Sequence, residues 1–106
     1  MRTVHKYRLD MDKFEQKIEM PMGARILSVQ NQLEHLTFWA SVNPSERTVS
    51  RTFYVIGTGN DAPEDDDRSY IMYRGTAQFM GGVLVLHVFE RIGRYLNEHP
   101  VRKHEL

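Results

Sequence analysis

The chain has 106 residues, of which 41% are hydrophobic and 26% charged, and its acidic and basic residues balance to a formal net charge of zero. This size and composition indicate one soluble globular domain. The charge balance gives the protein as a whole no electrostatic attraction for nucleic acid or an anionic membrane. Because the chain has no cysteine, disulfides, thiolate metal sites and cysteine nucleophiles are excluded.

The start of the chain and its hydropathy predict no membrane association. Residues 1–6 contain no apolar core of the kind found in signal peptides. No apolar run approaches the roughly 20 residues that a membrane-spanning helix needs. We therefore expect a protein that is neither exported through a signal peptide nor inserted in a membrane.

The first part of the chain alternates between apolar and polar residues, as amphipathic β-strands do. Residues 3–9 and 14–20 follow this pattern, and the polar residues 10–13 between them favour a hairpin connection. Pro21 cannot donate to a sheet ladder and Gly23 tolerates a positive φ, so these residues predict a turn.

Two more alternating segments, residues 25–30 and 36–42, predict the third and fourth strands. Residues 51–56 are β-branched or aromatic almost throughout, which is typical of a strand covered on both faces. Residues 57–68 combine glycine, proline and a run of acidic residues, and they predict a loop.

The strongest pairing signal lies in the last third of the chain. Residues 69–79 and 83–90 form two strand patterns joined by Gly81 and Gly82, which predicts a hairpin. Gly75 lies inside the first of these strands and predicts a bend there.

Beyond residue 90 the pattern changes from strand to helical spacing. Ile92, Tyr95 and Leu96 predict a short helix that runs to about residue 98 and ends before Pro100. The remaining residues are mostly charged, and we expect them to be mobile.

These segments predict a mainly β fold, a small antiparallel β-sandwich or barrel of about seven strands with a short C-terminal helix. The predicted β-domain covers residues 1–90, and the helix with its tail covers residues 91–106.

Two loop motifs resemble ligand-binding sequences, and both are better explained structurally. The acidic loop, with Asp61 and residues 64–67, lacks the ligand spacing of an EF-hand and is expected to be solvated. Residues 57–60 (GTGN) follow a strand as a phosphate loop would, but the acidic residues after them would repel phosphate. We expect a tight turn there, and neither a metal nor a cofactor in the protein.

His87 is the main catalytic candidate because it lies in the middle of the most apolar strand. A histidine there is either a buried general base or, more often, a core residue satisfied by one hydrogen bond. Glu90, three residues further along the strand, would point to the opposite face, so a His–Glu dyad is not expected. No other titratable pair has a spacing that argues for acid–base chemistry, and we expect no enzymatic activity.

The aromatic residues allow two interpretations. Tyrosines and Trp39 beside arginines such as Arg74 are the components of a platform on which single-stranded bases stack. The zero net charge and the acidic loop argue against nucleic acid as a partner. Trp39, Tyr54 and Tyr73 are then candidate exposed anchors for a protein partner, since aromatic residues dominate interface energetics.

Six motifs form a recognisable set: residues 6–7 (KY), 20–30 (MPMGARILSVQ), 38–40 (FWA), 42–44 (VNP), 51–59 (RTFYVIGTG), and 73–79 (YRGTAQF) leading into 83–90. Together they resemble a family of small bacteriophage and prophage proteins of unknown function, over about residues 5–90. The resemblance implies a phage gene product that acts in the cytoplasm of a bacterial host. It implies no catalytic residue.

We therefore expect a non-enzymatic phage accessory protein that binds a host or phage protein, as a modulator of host defence, and that is a candidate homo-oligomer. Two alternatives stay open. One is a small-molecule or nucleotide-binding β-barrel whose mouth lies near residues 57–60, with Arg74 or His87 fixing the ligand. The other is a structural component of a virion.

Overall fold

Seven β-strands make up nearly all of the regular structure in the computed structural model, which describes residues 1–94. A single turn of 3₁₀ helix, Met80–Gly82, precedes the last strand. Within these residues, no helix has the length and hydropathy to cross a membrane. The strands are β1 (Thr3–Arg8), β2 (Glu15–Pro21), β3 (Arg25–Gln32), β4 (His35–Val42), β5 (Thr48–Gly57), β6 (Ser69–Phe79) and β7 (Leu84–Gly93).

The strands form two antiparallel sheets that pack as a sandwich. Sheet A has three strands in the order β1-β4-β3, and sheet B has four in the order β2-β5-β7-β6. The predicted mainly β fold of about seven antiparallel strands is confirmed, as is the hairpin of β6 and β7. The barrel alternative is wrong, because the described strands form two separate sheets.

The predicted hairpin between the first two strands is also wrong. β1 pairs with β4 and β2 pairs with β5, so the connection crosses from one sheet to the other. Gln16 holds this crossing: its side-chain amide donates to the carbonyls of Asp10 and Lys13 and accepts from the Asp10 amide. These bonds pair backbone groups that the ladder of a hairpin would otherwise have paired. Gln16 is itself buried, so its own polar atoms also need these partners.

The short C-terminal helix is not supported. Arg91 and Ile92 continue β7 and pair with Ile71 and Tyr70 of β6, and Gly93 pairs with Ser69. Helical spacing of apolar residues was misleading here, because alternation places Ile92 and Glu90 on one face of a strand equally well. The predicted helix and mobile tail from residue 95 onward lie outside the described residues.

The core lies between the two sheets and is built from alternate residues of the central strands. Leu36, Phe38, Ala40 and Val42 point inward from β4 and are buried. The ring of Phe38 meets the ring of Phe53 of β5 with centroids 5.0 Å apart, which joins the sheets across the core. The further core members are Leu9, Met20, Ala24, Val29, Val55, Ala77, Phe79, Leu86 and Val88.

One glycine sets how closely the sheets approach at their shared side, where β3 lies beside β6. A β-carbon added at Gly75 would lie 2.6 Å from Cβ and 2.8 Å from Cγ2 of Val29, closer than real side chains approach. The β6–β7 register also shifts between Tyr73 and Gly75, so the predicted bend in this strand is confirmed as a β-bulge.

We predict that Gly75→Ala destabilises the protein by about 1–3 kcal/mol, because the added methyl forces β3 away from β6. Urea-induced unfolding measures this loss. Gly57→Ala is the matched control, since a β-carbon there meets only the side-chain nitrogen of Asn60, at 3.1 Å. Equal stability of the two variants would contradict the close packing of β3 on β6.

Candidate functional site

The structure places the five candidate residues from the sequence in three separate regions. Tyr54, Tyr73 and His87 share the outer face of sheet B, since the registers place Tyr54 and Tyr73 on either side of Phe89, two residues from His87. Trp39 lies on the outer face of sheet A. The Arg74 side chain points between the sheets.

Only one of the two candidate tyrosines on sheet B has an exposed side chain. Tyr54 is 4% exposed, because the Phe14 ring packs edge-on against it at 5.4 Å and Arg91 donates to its hydroxyl at 2.8 Å. That cover explains how residues on both faces of β5 are buried, as the unbroken apolar run predicted. Tyr73 is 56% exposed and packs edge-on against Phe89.

His87 is the centre of a hydrogen-bonded row on the outer face of sheet B, which we call the His87 network. Its Nε2 lies 2.7 Å from the Thr58 hydroxyl and its Nδ1 lies 2.9 Å from the Thr76 hydroxyl. The Thr76 hydroxyl also bonds the Tyr73 hydroxyl. His87 therefore makes two hydrogen bonds where the sequence predicted one. Its side chain faces outward and is only partly buried.

The His87 network holds side chains in place better than it moves protons. A catalytic Thr–His pair needs a third group that stabilises the imidazolium as it forms, and a carboxylate does this best. Here both ring nitrogens bond neutral hydroxyls. Glu90 points to the opposite face of β7, as the sequence predicted, where it contacts Arg51.

The turn at residues 57–60 is also a structural feature. The Asn60 amide donates to the Gly57 carbonyl at 3.0 Å, and Gly59 has a φ of 91°, which is the tight turn that the sequence predicted. Two surface cavities of about 460 and 560 Å³ lie elsewhere, at the end of β1 and between β5 and β7. Neither is lined by residues 57–60, by Arg74 or by His87.

The most concentrated charge in the fold is a buried group that we call the Glu90 cluster, consisting of Arg51, Arg74 and Glu90. Glu90 is 1% exposed, and its carboxylate accepts hydrogen bonds from Nε and Nη2 of Arg51 at 2.6 and 3.0 Å. The same carboxylate accepts a hydrogen bond from Nε of Arg74 at 3.0 Å and lies 2.8 Å from Nη2 of that residue. Arg51 also donates to the Ala24 carbonyl, which ties sheet B to the turn before β3.

The sequence held a signal for this cluster that residue-by-residue inspection misses. Glu90 continues the inward series Leu86, Val88, and Arg51 continues the inward series with Phe53 on β5. An acid and a base at inward positions of adjacent strands point to a buried pair, because an unpaired charge there is very costly.

We predict that Glu90→Gln destabilises the fold by roughly 3–5 kcal/mol, because it leaves two guanidinium groups without a counter-charge. Arg74→Met is expected to cost less, since the two-point contact of Arg51 with Glu90 remains. Thermal unfolding compares the variants, with the exposed Glu19→Gln as control. A melting temperature for Glu90→Gln equal to that of the control would show that the cluster does not stabilise the fold.

The acidic loop is held by its own backbone and by two arginines, one in β7 and one directly after it. The Asp66 carboxylate accepts from the amides of Arg68 and Ser69 and lies 3.5 Å from Arg91. Asp65 accepts from the Ile71 amide and lies 3.7 Å from Arg94. Among residues 1–94 no group of three or more potential ligands has the geometry of a metal site.

Hydrogen bonds from the Arg68 amide and the Ser69 hydroxyl, with the charge of Arg91 as a smaller cause, lower the pKa of Asp66 below its usual 3.8. A group with a depressed folded-state pKa stabilises the fold above its unfolded pKa, and that stabilisation is lost as the pH falls through the lower value.

We therefore predict that Asp66→Asn unfolds more readily than the wild type at neutral pH and that this difference shrinks as the pH falls below about 4. Asparagine keeps an oxygen that accepts the amide hydrogens, so the comparison isolates the charge. Chemical unfolding across acidic pH measures it, with Asp67→Asn as control. A difference that is constant with pH would contradict the role of the carboxylate.

A separate apolar feature lies where two turns leave the sandwich. Leu33, Met80 and Val83 are 87%, 61% and 82% exposed, and we call them the hairpin tips. The Asn31 side chain donates to the Gln78 carbonyl at 2.9 Å, which fixes the ends of β3 and β6 beside each other. Both turns therefore lie at one end of the molecule.

The comparison with family models matches residues 1–97 to a domain of unknown function, DUF7352. The chain belongs to the DUF7352 family. No curated protein and no solved structure matches the chain. The family match runs past residue 90, so the family extends further along the chain than the motif set of residues 5–90 indicated.

Membership of DUF7352 supports the coarser part of the expected resemblance, a family of unknown function, and says nothing of a bacteriophage source. Function in this DUF7352 protein therefore has to be argued from its surfaces. Two of these surfaces are the hairpin tips, whose apolar side chains are exposed, and the outer face of sheet A, which carries Trp39.

Proposed function

We propose that this DUF7352 protein is a non-enzymatic accessory protein that binds another protein through its hairpin tips. The observation that carries the proposal is the left-handed backbone under two exposed apolar side chains. Leu33 and Met80 have φ values of 51° and 52°, although neither is glycine. Large apolar residues adopt this conformation at a cost, and such strain is found at functional sites.

The turn of β3 and β4 shows the conflict most clearly. Gln32 pairs with His35, so Leu33 and Glu34 are the two central residues of a hairpin turn, and both have positive φ. Asn-Gly is the preferred pair there because both residues tolerate that backbone. A leucine that is 87% exposed gains little by burial within the fold. Its side chain is better explained by a contact with something else.

The occupant that fits the tips is a concave apolar pocket on a different protein. Hairpin tips are convex, and each of the two surface cavities among residues 1–94 has charged side chains in its lining, Arg8 and Asp12 in one and Arg47 and Glu90 in the other. These charged groups make the cavities of a second copy a poorer match for apolar tips than a wholly apolar pocket on a different protein. The Glu34 carboxylate between the tips and β4 disfavours a lipid bilayer as the target.

The cellular setting that we propose is the cytoplasm of a bacterial host, with a phage or prophage as the source and a host or phage protein, such as a defence component, as the partner. The support for this setting is the motif resemblance over residues 5–90. Homo-oligomers formed through other surfaces are compatible with the proposal.

We predict that Leu33→Asn, alone or with Met80→Asn, weakens partner binding roughly tenfold or more while the fold gains up to about 1 kcal/mol of stability. The stability gain follows because asparagine tolerates the left-handed backbone. The tagged wild type is captured from bacterial cells with and without nuclease, and stoichiometric proteins are identified by mass spectrometry. Titration calorimetry with the purified partner then measures each variant.

Leu27→Asn is the matched control, because Leu27 is 56% exposed at the β-bulge near the other end of β3. Binding that is lost with the tip variants and kept by this control supports the proposal. A partner bound equally by the tip variants overturns it. Recovery of the bait alone also overturns it and favours a small-ligand or virion role.

A further inference from the structure

Sheet A carries charge of a single sign. Its three strands contain Lys6, Arg8 and Arg25 and not one aspartate or glutamate. The acidic residues of the described chain lie in β2, in β7 and in the loops, and Asp65 and Asp66 contact arginines of sheet B. The net charge of zero therefore does not describe sheet A, whose strands carry only basic charges.

The strand register places this charge around Trp39 on the outer face of sheet A. Lys6 and Ser28 are the partners of Trp39 on either side. Arg8 is opposite Thr37, and Arg25 is opposite Ser41, so basic residues flank the indole on both edge strands. Successive outward residues of one strand lie roughly 7 Å apart. We call this surface, with Arg2 at its margin, the Trp39 face.

The basic residues of the Trp39 face keep their charge available. Lys6 donates to the Gln32 side chain, and Arg2 donates to the Ser41 hydroxyl and to backbone carbonyls. The ion pairs within residues 1–94 are made by Arg51, Arg74, Arg91 and Arg94 of sheet B or directly after it. Trp39, the single tryptophan of the chain, makes no aromatic or cation–π pair with the described residues.

We propose that the Trp39 face binds single-stranded nucleic acid, with a base stacked on the indole of Trp39 and phosphates held by Lys6, Arg8 and Arg25. A groove or sheet face that joins cations to an aromatic ring is how proteins bind single strands without sequence preference. Most of the other outward residues are serine, threonine and glutamine, with Val4 and His35 toward the margins, and such a polar surface suits a hydrated polyanion better than an apolar protein surface does.

Single strands fit this surface better than a duplex does. The bases of a duplex are stacked on one another, so a tryptophan in the middle of a sheet face cannot reach their planes. Charges further apart than about 8 Å are largely screened at physiological salt. The acidic loop of sheet B therefore does not cancel the local attraction, although the net charge alone makes nucleic acid an unlikely partner.

Intrinsic fluorescence tests the proposal directly, because all tryptophan emission comes from Trp39. Titration with a single-stranded oligothymidine at low salt is expected to quench the emission, and inorganic polyphosphate, which lacks bases, is not. Three to four phosphate contacts predict a slope of about −2 to −3 when log affinity is plotted against log salt. Absence of binding at low salt, or equal quenching by polyphosphate, overturns the proposal.

Variants then distinguish binding at the Trp39 face from a general effect of net charge. The measurement is the anisotropy of a labelled oligonucleotide. Trp39→Ala is expected to weaken binding roughly five- to hundredfold. The double variant Lys6→Glu with Arg8→Glu is expected to abolish binding. Lys13→Glu with Lys17→Glu changes the net charge equally but at exposed residues outside sheet A, and it is expected to keep most of the affinity. Equal losses in both double variants, or full affinity of Trp39→Ala with an intact fold, overturn the proposal.

Discussion

Much of sheet B depends on the carboxylate of Glu90, because it allows two arginine side chains to lie side by side between the sheets. Arg51 and Arg74 come from strands on either side of β7, and both point into the space between the sheets. Without Glu90 between them, two like charges would meet in a region of low dielectric. With it, three neighbouring strands are cross-linked, and the second amino group of Arg51 reaches the turn before β3. Burial raises the pKa of the Tyr7 hydroxyl on sheet A, and the positive charge of Arg51 partly opposes this increase.

The strand content followed from the sequence, whereas the assignment of strands to sheets did not. Alternation identifies which residues point to the same side, and it correctly separated Glu90 from His87. Alternation carries no information about partners, so the polar residues 10–13 suggested a hairpin where the chain in fact crosses between sheets. The deciding contacts are those of Gln16, whose buried side chain bonds to the backbone of this crossing.

The candidate site shows the same division. Tyr73 could be recognised as an exposed aromatic residue, but the cover of Tyr54 by Phe14 and Arg91 depends on one neighbour directly before β2 and one in β7, which only the fold brings together. The hairpin tips were missed because single exposed leucine or methionine residues are common on protein surfaces. Their interest lies in the positive φ beneath them, which a leucine in a sequence does not reveal.

Charge separation between the two sheets also affects how molecules meet one another in solution. A sheet A without acidic residues in its strands and an acidic loop elsewhere give each molecule an uneven distribution of surface charge, although its net charge is zero at pH 7. Two copies then attract each other in a head-to-tail orientation, and no net repulsion keeps them apart. Small ions weaken this attraction, since they screen it within about 10 Å at 0.1 M salt. The protein should therefore be least soluble near neutral pH in dilute buffer and should dissolve when salt is added, a salting-in behaviour that an evenly distributed surface charge would not produce.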